Sequence, residues 1–221
     1  MPHKRKDLGI VGANLWYLVG LIASDGNLSL DGIHIDITSS DYEFLWQIKE
    51  VNGIRNKIGV KYGAKKKRSF RIQIANRSFY DFLVSVGLTQ KKSLTIGALK
   101  VSNQFFVDFL RGLIDGDGSI RKWKHPTNFR EQWSLRIYSG SEKFIKWLYE
   151  KIKEYFKACG RIHQYKTQGS LYVLKFGKIA AKKILGECYY ENGFALQRKY
   201  ILAKQCVNSR EGWKASKTVL A

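Results

Sequence analysis

The feature that most constrains this chain is that it repeats itself. The segment Tyr17-Leu-Val-Gly-Leu-Ile-Ala-Ser-Asp-Gly-Asn-Leu28 returns as Phe109-Leu-Arg-Gly-Leu-Ile-Asp-Gly-Asp-Gly-Ser-Ile120, identical at six of twelve positions with an offset of 92. Further pairs follow in the same order. Thr38-Ser-Ser-Asp-Tyr-Glu-Phe-Leu45 answers Tyr138-Ser-Gly-Ser-Glu-Lys-Phe-Ile145, and Gln90-Lys-Lys92 answers Gln197-Arg-Lys199. The offset grows from 92 to 100 to 107, so the second half carries insertions, one of them near His125 to Gln132. A unit of about 90 residues is too long for a solenoid repeat. The pattern predicts two similar half-domains related by a pseudo-twofold axis: a basic segment 1–13, halves at 14–102 and 103–207, and a basic tail 208–221.

Each half reads as αββαββα, an α+β fold. Asn14 and Asn103 are expected to cap two apolar helices of about three turns. Gly26 and Gly118 are expected to end them in the left-handed conformation that costs glycine least. Ile33, Ile35 and Ile37 then alternate with His34 and Asp36 behind an Asp31-Gly32 hairpin turn. Helices are predicted over 40–52, 77–86, 141–157, 178–186 and 197–207. Strands are predicted near 57–62, 69–75, 161–166 and 170–176. Antiparallel strands with one apolar face need helices on that face and can offer the other to a ligand.

Charge narrows the partner. The 221 residues carry 39 Lys+Arg against 18 Asp+Glu, a formal +21, with 44% hydrophobic and 14% aromatic residues. That apolar content excludes intrinsic disorder, and so large a field calls for a polyanion. Nucleic acid is the first reading and an anionic membrane surface the second. Leu8 to Ser24 superficially resembles a signal peptide, but its longest apolar run, Leu15 to Ala23, is nine residues, against the ~20 a membrane span needs. The same segment recurs mid-chain, where no signal peptide could act. An intracellular protein, not secreted, is expected. Cys159, Cys188 and Cys206 form no metal-binding or disulfide pattern and read as reduced, mostly buried thiols.

Asp25 and Asp117 stand at the last turns of the repeated helices, where unpaired carbonyls already make the environment negative. If the helices pack side by side, both carboxylates and the carbonyls of Ser24 and Gly116 converge at one end. Such an all-oxygen site suits Mg²⁺, with Mn²⁺ or Ca²⁺ able to stand in for binding. Gly20/Ser24 and Gly112/Gly116 are small residues at i, i+4 that would permit close packing. No Ser/His/Asp-type arrangement competes, because the four histidines share no recurring context.

Leu18-Val-Gly-Leu-Ile-Ala-Ser-Asp-Gly26 and Leu110-Arg-Gly-Leu-Ile-Asp-Gly-Asp-Gly118 resemble the two copies of the LAGLIDADG motif of homing endonucleases, in the two-motif, single-chain form. The first copy departs at its sixth position, where Ala23 replaces an acid. The resemblance implies a saddle whose motif helices form the interface between halves, with strands straddling duplex DNA. It implies a monomer that hydrolyses both strands with Mg²⁺ across the minor groove, leaving 3′ overhangs. It makes Asp25 and Asp117 the metal-binding acids and puts a basic residue late in each half near the scissile phosphates, here Lys92 and Lys199. A polar position near Ser40 or Asp41, and near Ser141 or Glu142, reads equally well as a helix N-cap. An intron RNA is the alternative partner, for a splicing maturase; a DNA-binding protein without cleavage is the third class. Retention of both acids favours the nuclease.

Strand alternation puts Asn27, Ser29, His34, Asp36, Arg71 and Gln73 on the outer face of the first half. The outer face of the second takes Ser119, Arg121, Ser134, Arg136, Arg161, His163 and Lys175. Arg and Gln can read base edges in the major groove, while Lys61 and the run Lys65–Arg68 suit phosphate. The two faces differ, so the expected target is a long, non-palindromic duplex.

Overall fold

The apolar periodicities resolve into two four-stranded antiparallel sheets with helices on one face of each, in a computed structural model that describes residues 9–62, 68–90, 92–166 and 170–210. The first half runs α1 (Gly12–Asp25), β1 (Gly26–Leu28), β2 (His34–Ser39), α2 (Tyr42–Val51), β3 (Ile58–Tyr62), β4 (Arg68–Ala75), α3 (Arg77–Val86) and the short α4 (Lys92–Thr95). A 3₁₀ turn at Asn103–Phe105 leads into α5 (Phe106–Asp117). Then follow β5 (Gly118–Lys124), β6 (Glu131–Ser139), α6 (Glu142–Phe156), β7 (Arg161–Lys166), β8 (Ser170–Gly177), α7 (Lys178–Cys188) and α8 (Gln197–Asn208). Strand orders β1-β2-β4-β3 and β5-β6-β8-β7 are the same order twice, so the duplication seen in sequence is a duplication of topology. Among the described residues no helix is long and apolar enough to cross a membrane.

The predicted helices and strands are present, with shifts at the ends. Asn14 lies inside α1, whose N-cap is Val11, and Asn103 opens the 3₁₀ turn ahead of α5. Neither asparagine caps. Neither motif helix has a side-chain cap at all; each is stabilised by burial instead, with Tyr17 to Ile22 and Phe109 to Ile114 buried without a break. The capping signals did hold in two flanking helices, where Asp41 and Ser141 accept from the Phe44 and Phe144 N–H groups; Asn76 caps α3 in the same way, accepting from Phe79. That settles the local role of Asp41 and Ser141 as N-caps. The insertion after the second motif lengthens a hairpin: β5 and β6 pair from Gly118↔Ile137 to Lys124↔Glu131, whereas β1 and β2 pair only from Gly26↔Ile37 to Leu28↔Ile35.

Gly26 and Gly118 are not left-handed. Their φ values are −89° and −82°, in extended backbone. Each glycine is needed because a Cβ there would stand 2.6 Å from Ile22 Cα, or 2.5 Å from the Ile114 carbonyl oxygen. The chain turns from helix to strand directly over the preceding turn, and only hydrogen fits.

The two motif helices form the interface between halves, and they touch backbone to backbone. A Cβ on Gly20 would lie 2.0 Å from the Phe109 carbonyl oxygen, and one on Gly112 would lie 2.0 Å from that of Tyr17. Those residues correspond at the offset of 92, so the contact is reciprocal, as twofold packing requires. Each interior glycine costs its helix about 1 kcal/mol relative to alanine; the approach it permits is the reason for it. Gly20→Ala or Gly112→Ala should therefore destabilise the fold by at least about 3 kcal/mol, the upper end of overpacking costs, in urea unfolding. Gly186→Ala, in a helix where the new Cβ meets only Val207 Cγ2 at 3.7 Å, should be neutral or stabilising by up to about 1 kcal/mol.

Candidate active site and nucleic-acid interface

The glycine contact places the C-terminal ends of α1 and α5 together. A Cβ on Gly116 would strike Ser24 Oγ at 1.8 Å and come within 3.3 Å of Asp25 Oδ2. The first motif's carboxylate thus lies against the residue preceding the second motif's carboxylate, and both Asp25 and Asp117 are exposed. Ser24 Oγ donates back to the Gly20 and Leu21 carbonyls at 3.3 and 2.9 Å, so its hydroxyl is committed to its own helix. A cavity of about 90 Å³ adjoins, lined in part by Ala23, Ser24, Asp117 and Tyr138.

Lys199 is buried, not a surface lysine. Its Nζ donates to the carbonyls of Ile114, Asp115 and Gly116 at 2.5, 2.7 and 3.1 Å. It therefore caps the C-terminus of α5 with a full positive charge, where the orphan carbonyls and the helix dipole are negative. Burial lowers its ammonium to about 8, and Arg198 adds to this, while Asp115, Asp25 and Asp117 draw it back up. The lysine is close enough to feel both motif acids. Lys92, its counterpart in the repeat, begins α4, and its side chain lies outside the described residues, as do Lys65, Lys66 and Lys67.

The sixth motif position separates the two copies. Asp115 is buried and accepts from Tyr17 Oη, Tyr189 Oη and the Leu196 N–H, each at 2.7 Å. Burial raises its carboxyl, against the three hydrogen bonds and Lys199, which lower it. Burial beside this acid also holds both phenols well above their ordinary range. Arg111, one turn earlier, is buried too; it pairs with Asp108 at 2.8 Å and donates to the Phe194 and Cys188 carbonyls. Sequence reading gave these residues no role. Their only signal was that charged Asp108, Arg111 and Asp115 sit within an otherwise apolar helix. Asp115 ties α5 to Tyr17 of the first half and to the segment leading into α8, and so helps to seat Lys199. Asp115→Ala leaves three donors without an acceptor and should cost about 3–5 kcal/mol in urea unfolding; Asp115→Asn, which keeps one acceptor, should cost less than half as much.

On the outer faces the sheets align the expected residues into rows. Asn27, Asp36 and Gln73 stand opposite one another across β1, β2 and β4. Arg71 lies beside them, its Nη1 3.6 Å from Asp36 Oδ2, and Lys61 is exposed near the tip of β3. In the second sheet Ser119, Arg136, Lys175 and Arg161 form one row across all four strands. Arg121 and His163 are exposed on either side of it.

One residue departs from the expectation, and two others are held at the hairpin turn. Ser134 is buried, because its short side chain on a central strand is overshadowed by longer neighbours such as Arg121 and Arg136. His34 pairs with Asp31 at 2.5 Å. Asp31 also accepts the His34 and Ile33 N–H groups, which with the imidazole lower its carboxyl to about 2, so His34, the first residue of β2, is tied back to the hairpin turn. Ser29 lies in the same turn, its carbonyl held by Tyr80 and Gln90. Among the cysteines, Cys188 and Cys206 are buried as expected, but Cys159 is exposed.

With this geometry in hand, the profile of the LAGLIDADG-like domain family matches residues 13–87. No curated protein matches the sequence. Among solved structures the chain is similar to the homing endonuclease I-WcaI bound to its DNA recognition sequence, with a TM-score of 0.61 and 12% identity over 90% of this chain and 87% of that one. It is similar to I-DmoI in complex with DNA and Ca, with a TM-score of 0.60 and 15% identity over 87% of this chain and 97% of that one. It is also similar to full-length DUF199/WhiA from Thermatoga maritima, at 0.58 and 16% over 95% of this chain, which spans 66% of that protein. Identities this low carry the fold.

Proposed function

We propose that this chain, a LAGLIDADG protein by its matched first half and by the fold of both halves, is a site-specific DNA endonuclease acting as a monomer. It binds a long, non-palindromic duplex and hydrolyses both strands with Mg²⁺, leaving 3′ overhangs. The observation that carries this reading is that two helices in backbone contact bring their acid-bearing ends together, with Asp25 beside Gly116, the residue before Asp117. A protein that only bound DNA would gain nothing from two exposed acids beside phosphate, which they repel.

The donor set fits Mg²⁺. Asp25 and Asp117 supply carboxylates, and the carbonyls of Ser24 and Gly116 stand in the same turns. The Gly116 carbonyl also accepts from Lys199, and a carbonyl oxygen has two lone pairs. Two carboxylates with backbone carbonyls suit a cation that keeps waters and shares substrate phosphate. When bound, the ion supplies charge neutralisation at phosphorus and an acidified water. The chain's own contribution is positional. The glycine contact fixes the spacing of the acids, and Lys199 offsets the negative end of α5 so that both can stay ionised together. Its positive charge also acts on the phosphate that approaches them. Exposed Lys61 suits phosphate and holds the duplex in register, while the outer rows of the two sheets face base edges.

A DNA-binding protein without cleavage is the second reading, favoured by the likeness to DUF199/WhiA, since a fold does not by itself decide chemistry. Cleavage separates the two. A duplex selected by binding from a randomised library should be cut by the native chain in Mg²⁺. Asp25→Asn and Asp117→Asn should each abolish cutting while leaving binding equal or slightly tighter. A selected duplex that is bound and never cut supports the second reading, and cutting by either mutant removes the metal assignment. The electrostatics give a separate test. With on the order of 8–12 phosphates neutralised, log K should fall with log salt at a slope of roughly −7 to −11; a slope shallower than about −3 would direct the +21 charge to another partner.

A further inference from the structure

We infer that the two sheets read opposite hydrogen-bonding chemistry at equivalent places in the target: Asp36 takes a base that presents an amino group, and Arg136 takes guanine. The inference rests on the DNA-binding reading above and adds to it the bases that each half selects.

Asp36 and Arg136 occupy the same place in the repeat. Each lies on the second strand of its half, between buried isoleucine or leucine neighbours: Ile35 and Ile37 in one case, Leu135 and Ile137 in the other. Each faces the first strand on one side (Asn27, Ser119) and the fourth on the other (Gln73, Lys175). At these two positions the structure leaves one side-chain atom buried and without a hydrogen-bond partner: Asp36 Oδ1, an acceptor, and Arg136 Nε, a donor. A buried polar atom left unpaired costs about 1–3 kcal/mol. Both sheets thus hold an unmet hydrogen bond of opposite sense at the same point, which a ligand carrying the complementary groups would meet.

The major groove offers those groups. Its amino donors are cytosine N4 and adenine N6, and its strongest acceptor pair is guanine O6 with N7. An aspartate cannot be there for phosphate, because like charges repel. Arg71, 3.6 Å from Asp36 Oδ2, orients the carboxylate and leaves Oδ1 without a partner. The flanking Asn27 and Gln73 are amides, suited to adenine. The second row is different in kind: Lys175 and Arg161 beside Arg136 bring donors only, which face acceptors. Neighbouring strands stand ~4.8 Å apart, so the four-residue row spans about 14 Å. At ~3.4 Å per base, it covers about four base pairs.

The test uses the full native chain and a randomised duplex library, selected for binding in Ca²⁺ without Mg²⁺ so that cleavage plays no part. Guanine is expected where the second sheet reads, and cytosine or adenine at the equivalent place in the other half-site. Arg136→Gln should move the first preference toward adenine, and Asp36→Asn should move the second toward adenine, each leaving the opposite half-site unchanged. Replacing the selected guanine by 7-deazaguanine removes N7 and should weaken native binding roughly 5- to 150-fold, with little effect on Arg136→Gln. If a variant fails to fold by circular dichroism, the modified duplex with the native chain decides alone. A uniform loss of affinity across all sequences for Arg136→Gln, or indifference of the native chain to 7-deazaguanine, would mean a phosphate contact and overturn the inference. Guanine at both equivalent places would overturn it as well. Failure to bind any duplex would instead overturn the DNA-binding reading.

Discussion

Everything in this structure depends on how closely two helices approach. Gly20 lies under the Phe109 carbonyl and Gly112 under that of Tyr17, at distances where no side-chain carbon fits. That reciprocal contact joins the halves and sets the pseudo-twofold relation of the two sheets. It also brings the ends of α1 and α5 together, so that Asp25 stands beside Gly116. The spacing of the two acids follows from a packing distance, not from the loops around them. A methyl group on either glycine would therefore disturb stability and the candidate site through one displacement.

The duplication is symmetric in backbone and asymmetric in chemistry. The second motif helix carries a buried polar lock, in which Asp115 takes three hydrogen bonds and Arg111 is pinned to Asp108 and two carbonyls. The first copy has Ala23 in place of that acid. Only the second helix is shown to end on a buried ammonium, that of Lys199. The same divergence reaches the outer faces, where equivalent central positions hold an aspartate and an arginine. A single chain can diverge in this way because its halves are encoded separately. Two copies of one subunit would have to present the same surface twice.

Much of this was legible before any coordinates. The repeat implied two halves, and the alternation in β2 and β4 separated the core isoleucines from Asp36 and Gln73. The small residues at i, i+4 indicated close helix packing. Other readings failed for definable reasons. Asn14 and Asn103 resembled caps, but burial, not capping, stabilises the motif helices. Gly26 and Gly118 carry the sequence mark of a left-handed C-cap and are extended instead, because a glycine's need for space and its need for positive φ leave the same mark in sequence. Ser134 has the right parity for the outer face and is still buried, since parity gives direction and not the reach of neighbouring side chains.

By itself the sequence determined what is local or periodic: which segments become helix or strand, which faces are apolar, and that the pattern occurs twice. Those properties depend on residue spacing along the chain. Only the tertiary structure decided what depends on residues far apart in sequence. It placed Lys199 beneath the end of a helix 85 residues earlier, and it made Asp115 the acceptor for Tyr17 and Tyr189. It lined up Ser119, Arg136, Lys175 and Arg161 across four strands. Spacing along a chain carries no signal for such neighbours, because burial and register are set by the packing of elements against one another.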